Sequence, residues 1–174
     1  LTIDKIKLLK SYGVNRLSIG VQTLNDDILK CTNRKHSKKD VILAINNAIK
    51  EGIDNINVDL ILGLPGTNKE IISNDLDFLL SLPIKHLSTY SLSINPHSEF
   101  FIKKIEAPND DILREYYDVV YARMLEHGFI HYEVSNFSLP NYQSKHNFTY
   151  WRAHLWKRLK ISLGTNTSCQ WQFY

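Results

Sequence analysis

Four places in the 174-residue sequence combine side chains that could bind a ligand or do chemistry. Asp59 is a carboxylate inside an apolar run of Ile56, Val58, Leu60, Ile61 and Leu62, stopped by Gly63-Leu64-Pro65-Gly66. Such a run predicts a strand buried on both faces, where a charge is costly unless something pairs with it. Ligands in α/β sheets and barrels collect at the carboxyl ends of strands. Asp59 is therefore either a structural acid satisfied by neighbouring amides or a ligand-binding group. Gln22 ends a second run in which Leu17, Ile19 and Val21 alternate with Ser18 and Gly20; by itself it reads equally well as a polar strand end. Arg34, Lys35 and His36 put three basic side chains in one polar connection, and alone they read as solvated loop groups. His146 opens His146-Asn147-Phe148-Thr149-Tyr150-Trp151, and out of context it is a surface-loop histidine.

Alternating helices and strands must position these groups. Thr2 can cap a helix through Ile6, Leu8 and Leu9 that ends at Gly13. Val14 to Gln22 reads as the first strand. Asn25 with Asp26 and Asp27 starts a short helix to Cys31, acids at its positive end. Cys31 there reads as a small apolar filler. Ser37 and Asp40 form a variant capping box before a stripe of Val41, Ile42, Ala44, Ile45, Ala48 and Ile49, closed by Gly52. The Asp59 strand follows, then a helix from Lys69 to Leu82 and a third strand from His86 to Ile94. Long crossovers between strands predict parallel pairing in right-handed βαβ units. Residues 95–109 read as an irregular excursion around Pro96 and Pro108. Asp110 or Asp111 caps an amphipathic helix that Gly128 ends, and His131 to Ser138 reads as one short strand or extended run.

Bulk properties narrow the class. The length fits one domain with a real core, and 43% hydrophobic with 22% charged residues is ordinary for a globular protein. A net charge of +3 gives no reason to expect nucleic acid or an acidic membrane as partner. Cys31 and Cys169 lie too far apart to suggest a disulfide framework or a metal ribbon. Without a signal peptide or a run of about 18 apolar residues, a soluble cytoplasmic protein is expected. The sequence begins at Leu1 and has Met124 as its single methionine, which reads as a piece of a longer protein. Three parallel strands do not close a barrel, so the fold is either a small open sheet or half of something larger.

Three segments in order, Asn15-Arg16-Leu17-Ser18-Ile19-Gly20-Val21-Gln22, Asn33-Arg34 and Asn57 to Pro65, resemble the radical S-adenosylmethionine (SAM) family of oxygen-independent coproporphyrinogen III oxidases and their relatives. His86 to Leu92 is similar to that family's next strand. Tyr132 to Phe137 and the HNxxYW sequence from His146 to Trp151 resemble its heme-chaperone branch, HemW. The likeness covers about residues 1 to 152. It implies an α/β fold, the second half of a partial TIM-like (β/α)6 barrel over residues 1–138, followed by the HNxxYW loop and an aberrant or truncated tail over 139–174. It further implies that Gln22 and Asp59 contact the ribose hydroxyls of SAM and that Arg34 contacts its methionine carboxylate. Ser93 would line the adenine side. These residue types suit those groups, because a carboxylate accepts from two vicinal hydroxyls and a guanidinium forks onto a carboxylate.

In the HNxxYW context His146 becomes a candidate axial ligand for heme iron, with Tyr150 and Trp151 able to stack on the porphyrin. The resemblance implies heme or porphyrin and heme-acceptor proteins as partners, no nucleic acid, and leaves room for membrane association. The family's CxxxCxxC motif for a [4Fe–4S] cluster is expected upstream of Leu1, since a cubane needs about three protein thiolates and Cys31 and Cys169 fit no cluster motif. This stretch by itself is then not expected to start radical chemistry. After Arg152 the expected glycine-rich strand and turn is replaced by His154 to Lys160 and Gly164 to Thr167, which reads as a frame slip or truncation. A basic-aromatic patch of Trp151, Arg152, Trp156, Lys157, Arg158 and Lys160 carries little weight beside that explanation. Two other functions stand next to the chaperone. One is a true coproporphyrinogen III oxidase, abstracting hydrogen from propionate side chains ahead of decarboxylation; the other is a non-functional remnant with exposed strand edges.

Overall fold

A computed structural model describes residues 1–149 of the chain. Residues 1–142 form one compact unit, and a second begins at Gln143. In the first unit Thr2 starts α1 (Ile3–Ser11) by accepting from Lys5 N. The chain then enters β1 (Arg16–Gln22), turns through α2 (Asp26–Cys31) and α3 (Lys38–Lys50), and returns as β2 (Asn55–Leu62). Ser37 and Asp40 make the reciprocal capping box at the head of α3. The helix α4 (Lys69–Leu80) leads to β3 (His86–Ser91), and both strand pairs are parallel, as the crossover lengths require.

Beyond β3 come the four-residue α5 (Glu99–Ile102), the long α6 (Asp110–Glu126), and a hairpin of β4 (Ile130–Glu133) and β5 (Asn136–Ser138). The hairpin folds back so that β5 pairs antiparallel with β3, giving the sheet order β1-β2-β3-β5-β4. This is an open α/β sheet.

One face of the sheet makes the core. Val21, Ile56, Val58, Leu60, Leu62, Leu87 and Phe137 pack against Val41, Ile45 and Ala48 of α3, Ile72, Leu76 and Leu79 of α4, and Val120 and Met124 of α6. Each fully buried aliphatic side chain here contributes about 1.5–3 kcal/mol. The opposite face is polar. Strand alternation and register put Ser18, Asn57 and His86 in one row across it and Gly20, Asp59 and Ser88 in the next.

That second face corrects several expectations. β2 is not buried on both sides: Asp59 and Ile61 are half-exposed while Ile56, Val58, Leu60 and Leu62 are covered. β3 stops at Ser91, with Tyr90 47% exposed rather than packed. Asn109, not Asp110 or Asp111, caps α6, its side chain accepting from Ile112 N. The single extended run expected at His131 to Ser138 is two strands. Cys31 is exposed, so it fills no core.

Candidate functional site

At the carboxyl ends of β1, β2 and β3 lies a cavity of about 380 Å³. Gln22, Arg34, Asp59 and Ser93 all line it, together with Ile61, Tyr90, Asn95 and Phe100. The four residues come from the end of β1, the loop after α2, the middle of β2 and the loop after β3, up to 71 positions apart in sequence between Gln22 and Ser93. Adjacent parallel strands and the loops that follow them bring these residues together.

Gln22 sits at an irregularity in the β1–β2 ladder, where the register shifts between Gly20 and Gln22, and its φ is +67°. A residue with a β-carbon in this left-handed region is strained by roughly 1 kcal/mol. Its side chain lies back over Gly20: a β-carbon at position 20 would stand 2.8 Å from Gln22 Nε2. Glycine at 20 is thus what lets Gln22 lie beside Asp59, the β2 partner of Gly20.

The loop behind Gln22 is held from three sides. His36 Nε2 meets the Val21 carbonyl oxygen at 3.0 Å, so the half-buried His36 is a tie and not a solvated loop group. The buried Asp75 of α4 accepts from Thr23 Oγ1 at 2.6 Å and from Leu24 N at 3.0 Å. Burial raises the Asp75 carboxyl above its ordinary range, and those two hydrogen bonds oppose the rise. Asn25 accepts from Asp27 N and Ile28 N to start α2. Downstream, Asn33 at φ +56° and the bond from Arg34 N to Leu29 O close α2 and deliver the exposed Arg34 to the cavity rim. Lys35 is exposed.

Asp59 is held by one neighbouring amide, the side chain of Asn57, and by a hydroxyl. Its Oδ1 accepts from Asn57 Nδ2 at 2.7 Å and its Oδ2 from Ser18 Oγ at 3.1 Å. The second hydrogen of Asn57 Nδ2 goes to Ser18 Oγ at 2.7 Å. Asn57 Oδ1 in turn accepts from Ser88 Oγ at 3.1 Å and meets His86 Nδ1 at 2.6 Å, while His86 Nε2 meets Tyr132 Oη at 2.6 Å. His86 is fully buried. Burial, with a smaller contribution from the Arg16 guanidinium, pulls its pKa down to about 3, so the ring is neutral at physiological pH. Each Asp59 oxygen accepts one bond here and keeps a lone pair for a ligand in the cavity.

Sequence reasoning missed Ser18, His36, Asn57, His86 and Tyr132. Ser18 and Asn57 were in view as polar members of apolar strands: a polar residue at i, i±2 of a strand carboxylate shares its face. Tyr132 lies on a hairpin whose pairing with β3 nothing local encodes.

In the second unit His146 is exposed, on a turn of helix that Ser144 starts by accepting from Asn147 N. Tyr150 and Trp151, the other two expected heme contacts, lie outside the described residues. Among the described residues no three His, Cys, Asp or Glu side chains gather as metal ligands, and Cys31 is the one cysteine described.

The radical SAM superfamily model matches residues 1–79. Curated relatives include the heme chaperone HemW of Bacillus subtilis (strain 168), 40% identical over 155 residues, which are 87% of this chain and 41% of that protein. The HemW of Lactococcus lactis subsp. lactis (strain IL1403) is 37% identical with the same coverage. The chain therefore spans about two fifths of the length of these relatives. Among solved structures, the coproporphyrinogen III oxidase HemN of Escherichia coli, described as a radical SAM enzyme, superposes with a TM-score of 0.73 at 25% identity, over 81% of this chain and 33% of that one. Elp3 of the archaeon Methanocaldococcus infernus shares the fold, with a TM-score of 0.63 at 19% identity over 68% of this chain and 29% of that one. This chain is therefore similar in sequence to the HemW heme chaperones and, over residues 1–79, to the radical SAM superfamily, and similar in fold to HemN.

Proposed function

We infer that the cavity is the SAM-binding part of a HemW-like heme chaperone, with residues 1–138 as the second half of its barrel. The convergence of Gln22, Arg34, Asp59 and Ser93 on one cavity carries this reading. The donor set suits the ligand. Asp59 presents spare acceptor capacity to vicinal ribose hydroxyls, Gln22 stands beside it, and the Arg34 guanidinium at the rim can fork onto a carboxylate. When bound, SAM would supply a sulfonium that an external one-electron donor could cleave reductively. The residues that line the cavity bind and orient it.

The described residues do not form a site for a [4Fe–4S] cluster. Heme enters the reading through the names of the curated relatives, and with it acceptor proteins that would receive the heme. His146 is the proposed axial ligand, since imidazole is a standard haem ligand and its exposure leaves it accessible. The test is heme titration of the wild type and of His146→Ala: a lost or shifted Soret band in the variant supports ligation, and an unchanged band and affinity rule it out. A second reading, part of an oxygen-independent coproporphyrinogen III oxidase, draws on the fold match to HemN. SAM-dependent consumption of coproporphyrinogen by a protein containing this chain would favour it.

A further inference from the structure

The polar face of the sheet carries more order than a binding pocket needs. Asp59 is the last member of a chain of side-chain hydrogen bonds that crosses three strands and ends on the hairpin. The direction of each bond follows from its ends. The Asp59 carboxylate only accepts, so the Asn57 amide must turn its NH2 toward Asp59 and Ser18 and its carbonyl oxygen toward β3. An amide oxygen also only accepts, so His86 Nδ1 carries the hydrogen. A neutral imidazole has one N–H, which leaves a lone pair on His86 Nε2 for the Tyr132 hydroxyl. Ser88 adds a second donor to the Asn57 oxygen. Reversing any member leaves two donors or two acceptors facing each other across a buried gap.

We propose that Asn57, locked by His86 and Tyr132, is a positioning residue that holds Asp59 in the one orientation able to accept from both hydroxyls of a ribose in the cavity. This rests on the SAM reading above and deepens it. It gives the β4–β5 hairpin a part in ligand recognition although Tyr132 does not line the cavity. The groups facing His86 suit a fixed tautomer: the Arg16 cation lies near it, and burial opposes a second positive charge. Released from Asn57, Asp59 keeps one support, the Ser18 hydroxyl, and is free to rotate about its χ2 angle.

The experiment compares adenosine with 2′,3′-dideoxyadenosine as probes, by calorimetric titration of the full chain. Wild type is expected to favour adenosine, and Asn57→Ala to lose about tenfold of that preference while binding the dideoxy probe as before. A merely structural role would weaken both probes alike. In an Asp59→Asn background, Asn57→Ala should have no further effect on the preference. Tyr132→Phe, which removes one hydroxyl at constant volume, guards against misfolding of the amide variant and should lower the preference in the same direction. Nitrogen NMR of the wild type should find His86 protonated on Nδ1. An unchanged preference in both Asn57→Ala and Tyr132→Phe, or a proton on Nε2, overturns the proposal while leaving the SAM reading intact. Failure of the wild type to bind either probe removes the SAM reading, and this proposal falls with it.

Discussion

Gly20 and His86 are where single residues decide the site. A methyl group at position 20 collides with the Gln22 amide, and the collision is with the end of a flexible side chain, not with backbone. Gly20→Ala should therefore displace Gln22 from the cavity and weaken SAM binding several-fold, while the urea midpoint falls by less than the equivalent of about 1 kcal/mol. Calorimetry and denaturation on the same preparation separate the two effects. His86 makes a pH prediction. Its folded pKa, about 3, lies below the ordinary value of 6.5, so the unfolded chain binds the extra proton first. The stability it contributes is complete above pH 6.5 and is lost as pH falls toward 3, on the order of 1 kcal/mol per pH unit. His86→Gln should flatten that acid slope in urea titrations. An unchanged slope would mean that other groups control it.

At the scale of elements, the connections hold the strand ends where the cavity needs them. Asp75 on α4 fastens the loop after β1 by accepting from Thr23 and Leu24, and burial raises its carboxyl pKa. A raised folded pKa means that the folded state holds its proton more tightly, so acidification through that range favours folding at this position. Asp75→Asn keeps an acceptor oxygen and removes the buried charge. It should equal or exceed the wild type in stability at neutral pH, with the difference shrinking as pH falls toward about 4, as urea titration at several pH values would measure. Gly63 is the other fixed point. Its φ is +87°, and a β-carbon there would stand 2.9 Å from Leu113 Cδ2 and 3.0 Å from Pro108 Cδ. Gly63→Ala should cost about 1–3 kcal/mol, because strain and crowding against α6 add.

How far the sequence reaches is clearest at this same scale. Caps announced α1 and α3, alternation announced β1 and a near-continuous apolar run announced β2, because Thr2, Ser37 and the apolar residues act on near neighbours. Gln22, Arg34 and Asp59 stand out through the resemblance of their motifs to a known family, not through any local signal of their own. The polarity of the second sheet face is hard to see in the sequence because the leucines and isoleucines of β2 outnumber Asn57 and Asp59, which mark one side of the strand. The β4–β5 hairpin and the Tyr132–His86 contact depend on pairing between segments 46 residues apart, which no local signal carries.

For the molecule as a whole, the sheet order leaves one side of β1 unpaired among the described residues, since β2 is its one neighbour in the ladder. Free backbone N–H and C=O groups on such an edge are a template for a further strand. The isolated chain should therefore associate as concentration rises, and sedimentation velocity over a hundredfold range would register it. A single monomeric species throughout would show that the edge is protected. No helix among the described residues is long and apolar enough to cross a membrane.

The central claim is that the cavity lined by Gln22, Arg34, Asp59 and Ser93 binds SAM, and calorimetric titration of SAM into the wild type and Asp59→Asn tests it most directly. The wild type should show saturable one-site binding and the variant a loss of about tenfold or more, since a hydrogen bond to a charged acceptor is worth about 1.5–3 kcal/mol. Equal binding by both proteins, or none by a wild type whose circular dichroism shows it folded, would contradict it.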